Sequence, residues 1–193
     1  GKVAFVGIGE LPSGRFPERD PLGASIEVAK QAIEDAGISK DEVDVLIPLV
    51  SFFDNSFNSN LALSILVEEL GLSNCKCNVQ FQSGGSSSSN ILKAASSMIY
   101  AGLANTILVV HTEKWGSTSV EQEFIDLLAT GGIAEEWEVP YGVNFNAVGA
   151  LVTQRYMYET GATPEQIASV IVSNRKWAAL NPNAMLHRPL NIE

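Results

Sequence analysis

Apolar residues follow two rhythms along the first half of the chain, and the two alternate. Lys2–Gly9 is an apolar run closed by glycine, the pattern of a buried strand. Glu10–Asp20 carries two prolines, Gly14 and mixed charges, which is loop chemistry. From Pro21 to Gly37, Leu22, Ile26, Ala29, Ile33 and Ala36 keep helical spacing. Asp20 is a natural N-cap, Pro21 suits the first helical position and Gly37 stops the helix. The cycle then repeats. A buried strand is expected over Val43–Val50, and a helix over Asn58–Gly71 with Leu61, Ile65 and Leu66 on one face. A third strand follows at Cys75–Phe81, a third helix at Gly85–Ala101 and a fourth strand at Thr106–His111. Strands alternating with helices pair in parallel through right-handed crossovers, so the expected class is an α/β layered sheet.

After Glu113 the rhythm stops. Gly116–Gly142 is acidic and irregular, with Trp115 and Trp137 near its ends. Two helices are expected beyond it, Asn146–Thr160 and Thr163–Leu180. Gly161 closes the first, while Thr163 caps the second and Pro164 begins it. The tail Asn181–Glu193 has two prolines and no periodicity. Residues 1–115 therefore form the expected core. Residues 116–193 are a loop or cap insertion over one end of the sheet, with Trp115, Trp137 and Trp177 as its apolar centre.

Composition narrows the function classes. Apolar residues are 46% of the 193, enough for a sizeable core. The net charge of −10, with no block of Lys or Arg, argues against nucleic acid or an anionic membrane as partner. No apolar run approaches the roughly 20 residues that cross a bilayer, and no signal-peptide pattern opens the chain. A soluble, cytoplasmic protein is expected. Cys75 and Cys77 are two apart, so on a strand they share a face but diverge too far for an unstrained disulfide. With two distant histidines they form no metal set, and the expectation is two reduced, half-buried thiols and no metal.

The motifs weigh unequally. Gly7-Ile8-Gly9 hints at a dinucleotide loop, but Pro12 stands where the third glycine belongs and has no N–H for a pyrophosphate. A strand-to-loop turn accounts for it better. The stretch Asn78–Gly102 says more. An alternating segment ends in Gly84-Gly85 and a small-residue helix starts at once, which places backbone N–H groups where negative charge can be stabilised. It is not a serine-hydrolase elbow, because Ser88 stands where glycine is required. Ser86–Ser89 suit capping and first-turn hydrogen bonds, and no nearby histidine would activate one as a nucleophile. His111 ends a strand, where α/β folds place ligands, although a lone histidine there also fits a structural hydrogen bond. His187 lies in the tail, and Glu113 and Lys114 fit a solvated pair.

The ordered set of segments resembles the N-terminal half of the thiolase superfamily, in its sterol-carrier-protein-X and lipid-transfer-protein branch. The resemblance rests on Val6-Gly7-Ile8-Gly9, Ala24–Gly37, Gly84–Ser88 with Ala94-Ala95 and Gly102, and Leu108–Trp115. It continues through Tyr156–Gly161 and Asn174–Ala184. It implies a thiolase-like layered fold: a mostly parallel sheet, helices on both faces and a loop-domain insertion. It implies four of five expected strands within 1–115, and a C-terminal half that has no counterpart in this chain.

In that family the third strand leads to a nucleophilic Cys. Spacing from Gly102 places Gly85 at that position, and no residue from Gln82 to Asn90 carries a thiol. Acyl-enzyme chemistry is therefore not expected. Lipid-transfer-type members without this Cys are similar to retro-aldolases, which cleave a β-hydroxyacyl-CoA with no acyl-enzyme. The resemblance thus implies C–C cleavage of acyl-CoA thioesters at a catalytic position held by Gly85, with Gly84, Ser86, Ser87 and His111 around the substrate. Coenzyme A enters as part of the substrate, and no separate cofactor is implied. It also implies a homodimer or hetero-oligomer through strand 75–81, and a small zinc/OB-fold acyl-CoA-binding partner. The alternative is a non-catalytic thiolase-like subunit of an acyl-CoA-processing complex.

Overall fold

A computed structural model of the chain describes residues 2–49, 61–81, 83–113 and 136–192. Val50, Asn58–Asn60, Gln82, Lys114, Trp115 and most of Gly116–Gly142 lie outside the described residues. The chain divides into two compact units, Gly1–Leu11 with Arg15–Trp115, and Pro12–Gly14 with Gly116–Glu193.

The first unit is built on a parallel sheet. Its described elements are α1 (Pro21–Asp35), β1 (Val45–Leu49), α2 (Ala62–Leu70), β2 (Cys77–Asn78), α3 (Ser87–Tyr100) and β3 (Ile107–His111). β1 lies in the centre, with β2 on one side and β3 on the other, both parallel to it. Helix α1 starts where its sequence dictates. Asp20 accepts a hydrogen bond from the Gly23 N–H at 2.8 Å, and Pro21 occupies the first turn. Gly37 and Gly71, both left-handed, follow the ends of α1 and α2, which a side chain would resist.

Alternation along the strands separates two cores. Leu46 of β1 and Leu108 and Val110 of β3 face α1 and α2, where Ala29, Leu66 and Leu70 complete a buried cluster. Val45, Ile47 and Leu49 face the other way and pack on Ile91 and Ala95 of α3. Helices thus cover both faces, and β1 is buried along its whole length. Register is pinned at the strand starts. The buried Asp44 carboxylate accepts the backbone N–H groups of Asn105 (3.0 Å) and Thr106 (3.1 Å), tying the entry of β1 to that of β3. Pro48 is tolerated in a central strand because the β2 ladder stops at Leu46. The N–H of Val45 points to the carbonyl of Thr106, just before β3, so by alternation position 48 would have donated on the β2 side.

Three expectations change in this unit. Lys2–Gly9 is extended but joins no strand, so the described sheet has three strands where four were expected. The segment lies instead against α1. A Cβ on Gly7 or Gly9 would stand 2.2 or 2.0 Å from a carbonyl oxygen of α1, of Ala32 and Val28 respectively. Asp35 and Gln31 of the same helix accept the N–H groups of Ile8 (2.9 Å) and Glu10 (3.1 Å). The two glycines therefore serve close packing on a helix. The third strand is also shorter than Cys75–Phe81, since the ladder covers Cys77–Asn78, flanked by bonds from Lys76 N–H to the Asp44 carbonyl at 2.9 Å and from Val79 N–H to the Leu46 carbonyl at 3.2 Å. Finally, the two thiols differ: both are free, but Cys75 is half-buried and Cys77 exposed.

The second unit contains α4 (Phe145–Thr160) and α5 (Pro164–Ala178). Asn144 caps α4 by accepting the Ala147 N–H at 3.0 Å, and Gly161 ends it in the left-handed conformation. Thr163 and Gln166 form a reciprocal capping box at the start of α5. The tail is tied back by Arg175, which donates to the Arg188 carbonyl at 3.2 Å. Trp137 and Trp177 are exposed, at 74% and 71%, so neither forms the apolar centre expected of them. Trp115 lies outside the described residues.

Candidate functional site

The Gly84–Ser87 turn sits where β2 gives way to α3, at the carboxyl end of the parallel strands. A short 3₁₀ turn over Gly84–Ser86 leads into α3, so the helix proper begins at Ser87, two residues later than its sequence signal. Gly84 has φ +58°, a conformation that favours glycine. The serines do not cap α3 as expected, since Ser86 at the N-cap makes no side-chain capping bond. They brace the turn instead. Buried Ser87 donates its hydroxyl to the Gly84 carbonyl (2.7 Å) and accepts the Ser83 N–H (2.9 Å). The Ser86 hydroxyl donates to the Ser83 carbonyl at 2.8 Å. One turn into the helix, the Asn90 amide donates to the hydroxyls of Ser83 (2.8 Å) and Ser86 (3.2 Å).

The result is a hydrogen-bonded turn with open space at Gly85. The N–H groups of Gly84 and Gly85 precede the first intrahelical donor and point ahead of the helix. A Cβ built on Gly85 meets no atom within 4 Å, and Gly85 has no positive φ. The absent side chain is therefore not demanded by packing. Space above Gly85, beside backbone N–H groups that have no partner among the described residues, is what a developing oxyanion needs.

His111 ends β3 at the same, carboxyl-terminal end of the sheet. Its Nε2 lies 3.4 Å from Glu113 Oε1, while Lys114, expected to form a solvated pair with Glu113, lies outside the described residues. The next residue, Thr112, meets Ser25 of α1 hydroxyl to hydroxyl at 2.6 Å, and Ser25 also donates to Pro21 O at 2.9 Å. That contact fixes the exit of β3 on the first turn of α1. The structure thus gathers Gly84, Gly85, Ser86 and Ser87 into one turn. Among the described residues no hydrogen bond joins His111 to it. Sequence reasoning missed Ser83 and Asn90, whose signal is helical spacing, and Ser25 with Thr112, which nothing local connects.

No family model matches the chain. It is 26% identical over its whole length to the 17-hydroxy-3-oxo-4-pregnene-20-carboxyl-CoA lyase of Mycobacterium tuberculosis, covering 50% of that protein. It is 27% identical to an acetyl-CoA acetyltransferase of Methanocaldococcus jannaschii, over 99% of this chain and 47% of that one. Among solved structures, an Ltp2-ChsH2(DUF35) aldolase superposes on 96% of the chain with a TM-score of 0.79 and 26% identity, using 46% of its own length. Over its whole length the chain is similar to proteins of the thiolase superfamily. It spans about half the length of the curated relatives it matches.

The Gly84–Ser87 segment has no sulfur at its opening. The described thiols, Cys75 and Cys77, precede it on the β2 side. Burial pushes the Cys75 thiol above its ordinary range, so it is held neutral. No helix among the described residues is long and apolar enough to cross a membrane.

Proposed function

We propose that the protein acts on acyl-CoA thioesters and cleaves a C–C bond by retro-aldol chemistry. A base removes the β-hydroxyl proton, the Cα–Cβ bond breaks, and its electron pair moves onto the thioester oxygen as an enolate. Protonation at Cα gives an acyl-CoA and a ketone or aldehyde. No acyl-enzyme forms, so no thiol is required. The observation that carries this reading is the braced, sulfur-free turn with open space above Gly85. The similarity to proteins named as a lyase and an aldolase supports it.

In this reading Gly85 holds the position of the family nucleophile and keeps the pocket open. The N–H groups of Gly84 and Gly85 polarise the thioester oxygen. Ser86 and Ser87 position that backbone through Ser83 and Gly84, and His111 borders the substrate from the neighbouring strand. Coenzyme A arrives as part of the substrate, with no further cofactor or metal. The working assembly is a cytoplasmic oligomer joined through strand 75–81, with the remaining thiolase half and a small zinc/OB-fold acyl-CoA-binding subunit. The solved relative is itself named as a two-component aldolase.

The test is cleavage of β-hydroxyacyl-CoA panels by the complete assembly and by its Gly85→Trp variant. Filling the open space above Gly85 is expected to cut turnover by about 100-fold or more, the scale of losing an oxyanion donor. Unaltered turnover overturns the placement of Gly85. The absence of any thiol from Ser83 to Asn90 also suits a non-catalytic partner subunit. Inactivity of the complete assembly on both β-hydroxyacyl-CoA and β-ketoacyl-CoA panels would favour that second reading.

A further inference from the structure

A retro-aldol cleavage needs a proton acceptor, and the Gly84–Ser87 turn offers none. Its hydroxyls on Ser86 and Ser87 are spent on the backbone of the turn itself. The next residues of α3, Ser88 to Leu92, carry hydroxyl, amide and aliphatic side chains, and Lys93 and Tyr100 stand further along the helix. β1 ends in Leu49, and β2 leads on through Val79, Gln80 and Phe81. Of these four elements, β3 brings the titratable groups to the carboxyl end of the sheet: His111 at its last position and Glu113 just beyond.

Alternation puts that pair on the face that carries the turn. Ile107 and Val109 of β3 pack with Val45, Ile47 and Leu49 against α3. His111 is the next residue in the same alternation and is level with Leu49. Thr112 turns to the opposite face, where Ser25 of α1 holds it at 2.6 Å, so Glu113 returns to the face of His111. Helix α3 lies on that face and runs from the carboxyl end of β2 back to the entry of β3. Its last turn is beside that entry, with Met98 and Ile99 in the same apolar cluster as Ile107. From there its 14 residues rise about 21 Å, against about 16 Å for the five of β3. The start of α3 therefore reaches past the end of β3 on the side that His111 presents. The imidazole is 40% exposed there, open to a substrate, and the Glu113 side chain 20%.

We infer that His111 is the base of the cleavage reaction and that Glu113 is its positioning residue, an inference that rests on the retro-aldol reading above. Nε2–H donates to Glu113 Oε1 across 3.4 Å, which leaves Nδ1 as the acceptor. Nδ1 takes the β-hydroxyl proton, and the electron pair of that O–H bond becomes the second C–O bond of the departing carbonyl. The Cα–Cβ bond breaks, and its pair moves onto the thioester oxygen at the Gly84 and Gly85 N–H groups. The imidazolium then returns the proton to Cα, so no oxidant, reductant or second substrate is consumed. Glu113 fixes the tautomer and stabilises the imidazolium while it lasts.

The experiment uses the complete assembly and a panel of β-hydroxyacyl-CoA thioesters. His111→Ala should lower kcat by about 100-fold or more while KM stays within about three-fold, the pattern of a lost general base. Added imidazole should restore kcat by about ten-fold, which a structural role would not allow. Glu113→Gln, of the same shape without the charge, should lower kcat by about ten-fold with KM unchanged. The double variant should be no slower than His111→Ala, because Glu113 acts through the imidazole. Parent kcat in His111→Ala overturns the inference, as does a loss in the folded variant that imidazole leaves untouched. Should His111→Ala fail to fold, Glu113→Gln decides, and parent kcat in it overturns the inference. A parent assembly that cleaves no member of the panel overturns the retro-aldol reading and the inference together. An active parent with an unaffected His111→Ala overturns the inference alone.

Discussion

Val45–Leu49 and Val3–Gly9 are apolar runs of similar length with opposite fates. The first is buried from end to end between two strands and two helical layers. The second has the same strand-like pattern, yet Phe5 is 77% and Ile8 72% exposed, and among the described residues it pairs with no strand. Intrinsic preference does not separate them, since both are rich in strand-forming side chains. Neighbours do. β1 has a partner on each edge, whereas segment 3–9 is anchored to α1 through Asp35 and Gln31. A strand is a relation between segments, and an apolar run records the relation that burial requires of it.

The comparison breaks hardest at Ile47, which is fully buried against α3. Ile47→Asp places an unpaired carboxylate between two helical layers and is expected to prevent folding of the first unit, seen as loss of a cooperative urea transition. Phe5→Asp, the same chemistry on the exposed run, should stay within about 0.5 kcal/mol of the parent in that titration. Comparable losses from the two would mean that Phe5 is buried in the folded protein.

Two glycines sharpen the contrast with a smaller effect. Gly9→Ala drives a methyl to within 2.0 Å of the Val28 carbonyl, so segment 3–9 must lift from α1, at about 1–3 kcal/mol. Gly85→Ala, with nothing within 4 Å, should change stability by less than about 1 kcal/mol, in the stabilising direction through the unfolded chain. Equal destabilisation by both, in parallel denaturant titrations, would contradict the tight seat of Gly9 or the open space at Gly85.

What was legible in the sequence follows the same division. Caps and stops are local chemistry, so Asp20, Thr163, Gly71 and Gly161 act where their patterns place them. Periodicity placed α1, α3 and β3 within about two residues because each meets its partner inside this chain. It failed for Lys2–Gly9, which pairs with no strand among the described residues and packs on α1 instead. At the candidate site, Gly84–Ser87 was legible because turn, glycine and helix start are contiguous. The Ser25–Thr112 contact was not, since 87 positions separate its members and only the fold joins them. Trp137 and Trp177 misled for a related reason: large aromatic residues signal burial somewhere, not burial within their own unit.

The smallest expected effect tests the edge of the sheet at β2. Burial is the main reason that the Cys75 thiol titrates above its ordinary value of 9.0, while Cys77, two residues on, is exposed. A thiol whose folded value is raised favours the native state in its protonated form. That contribution is complete below the unfolded value and is lost as pH rises through the higher folded one. Stability should therefore decline slightly above pH 9, and Cys75→Ser should flatten that decline. At pH 8.5 iodoacetamide should label Cys77 first, with Cys75 following slowly, as read by peptide mass mapping. Equal labelling rates would mean that the start of β2 opens freely, and that the sheet is less well sealed at this edge than its burial implies.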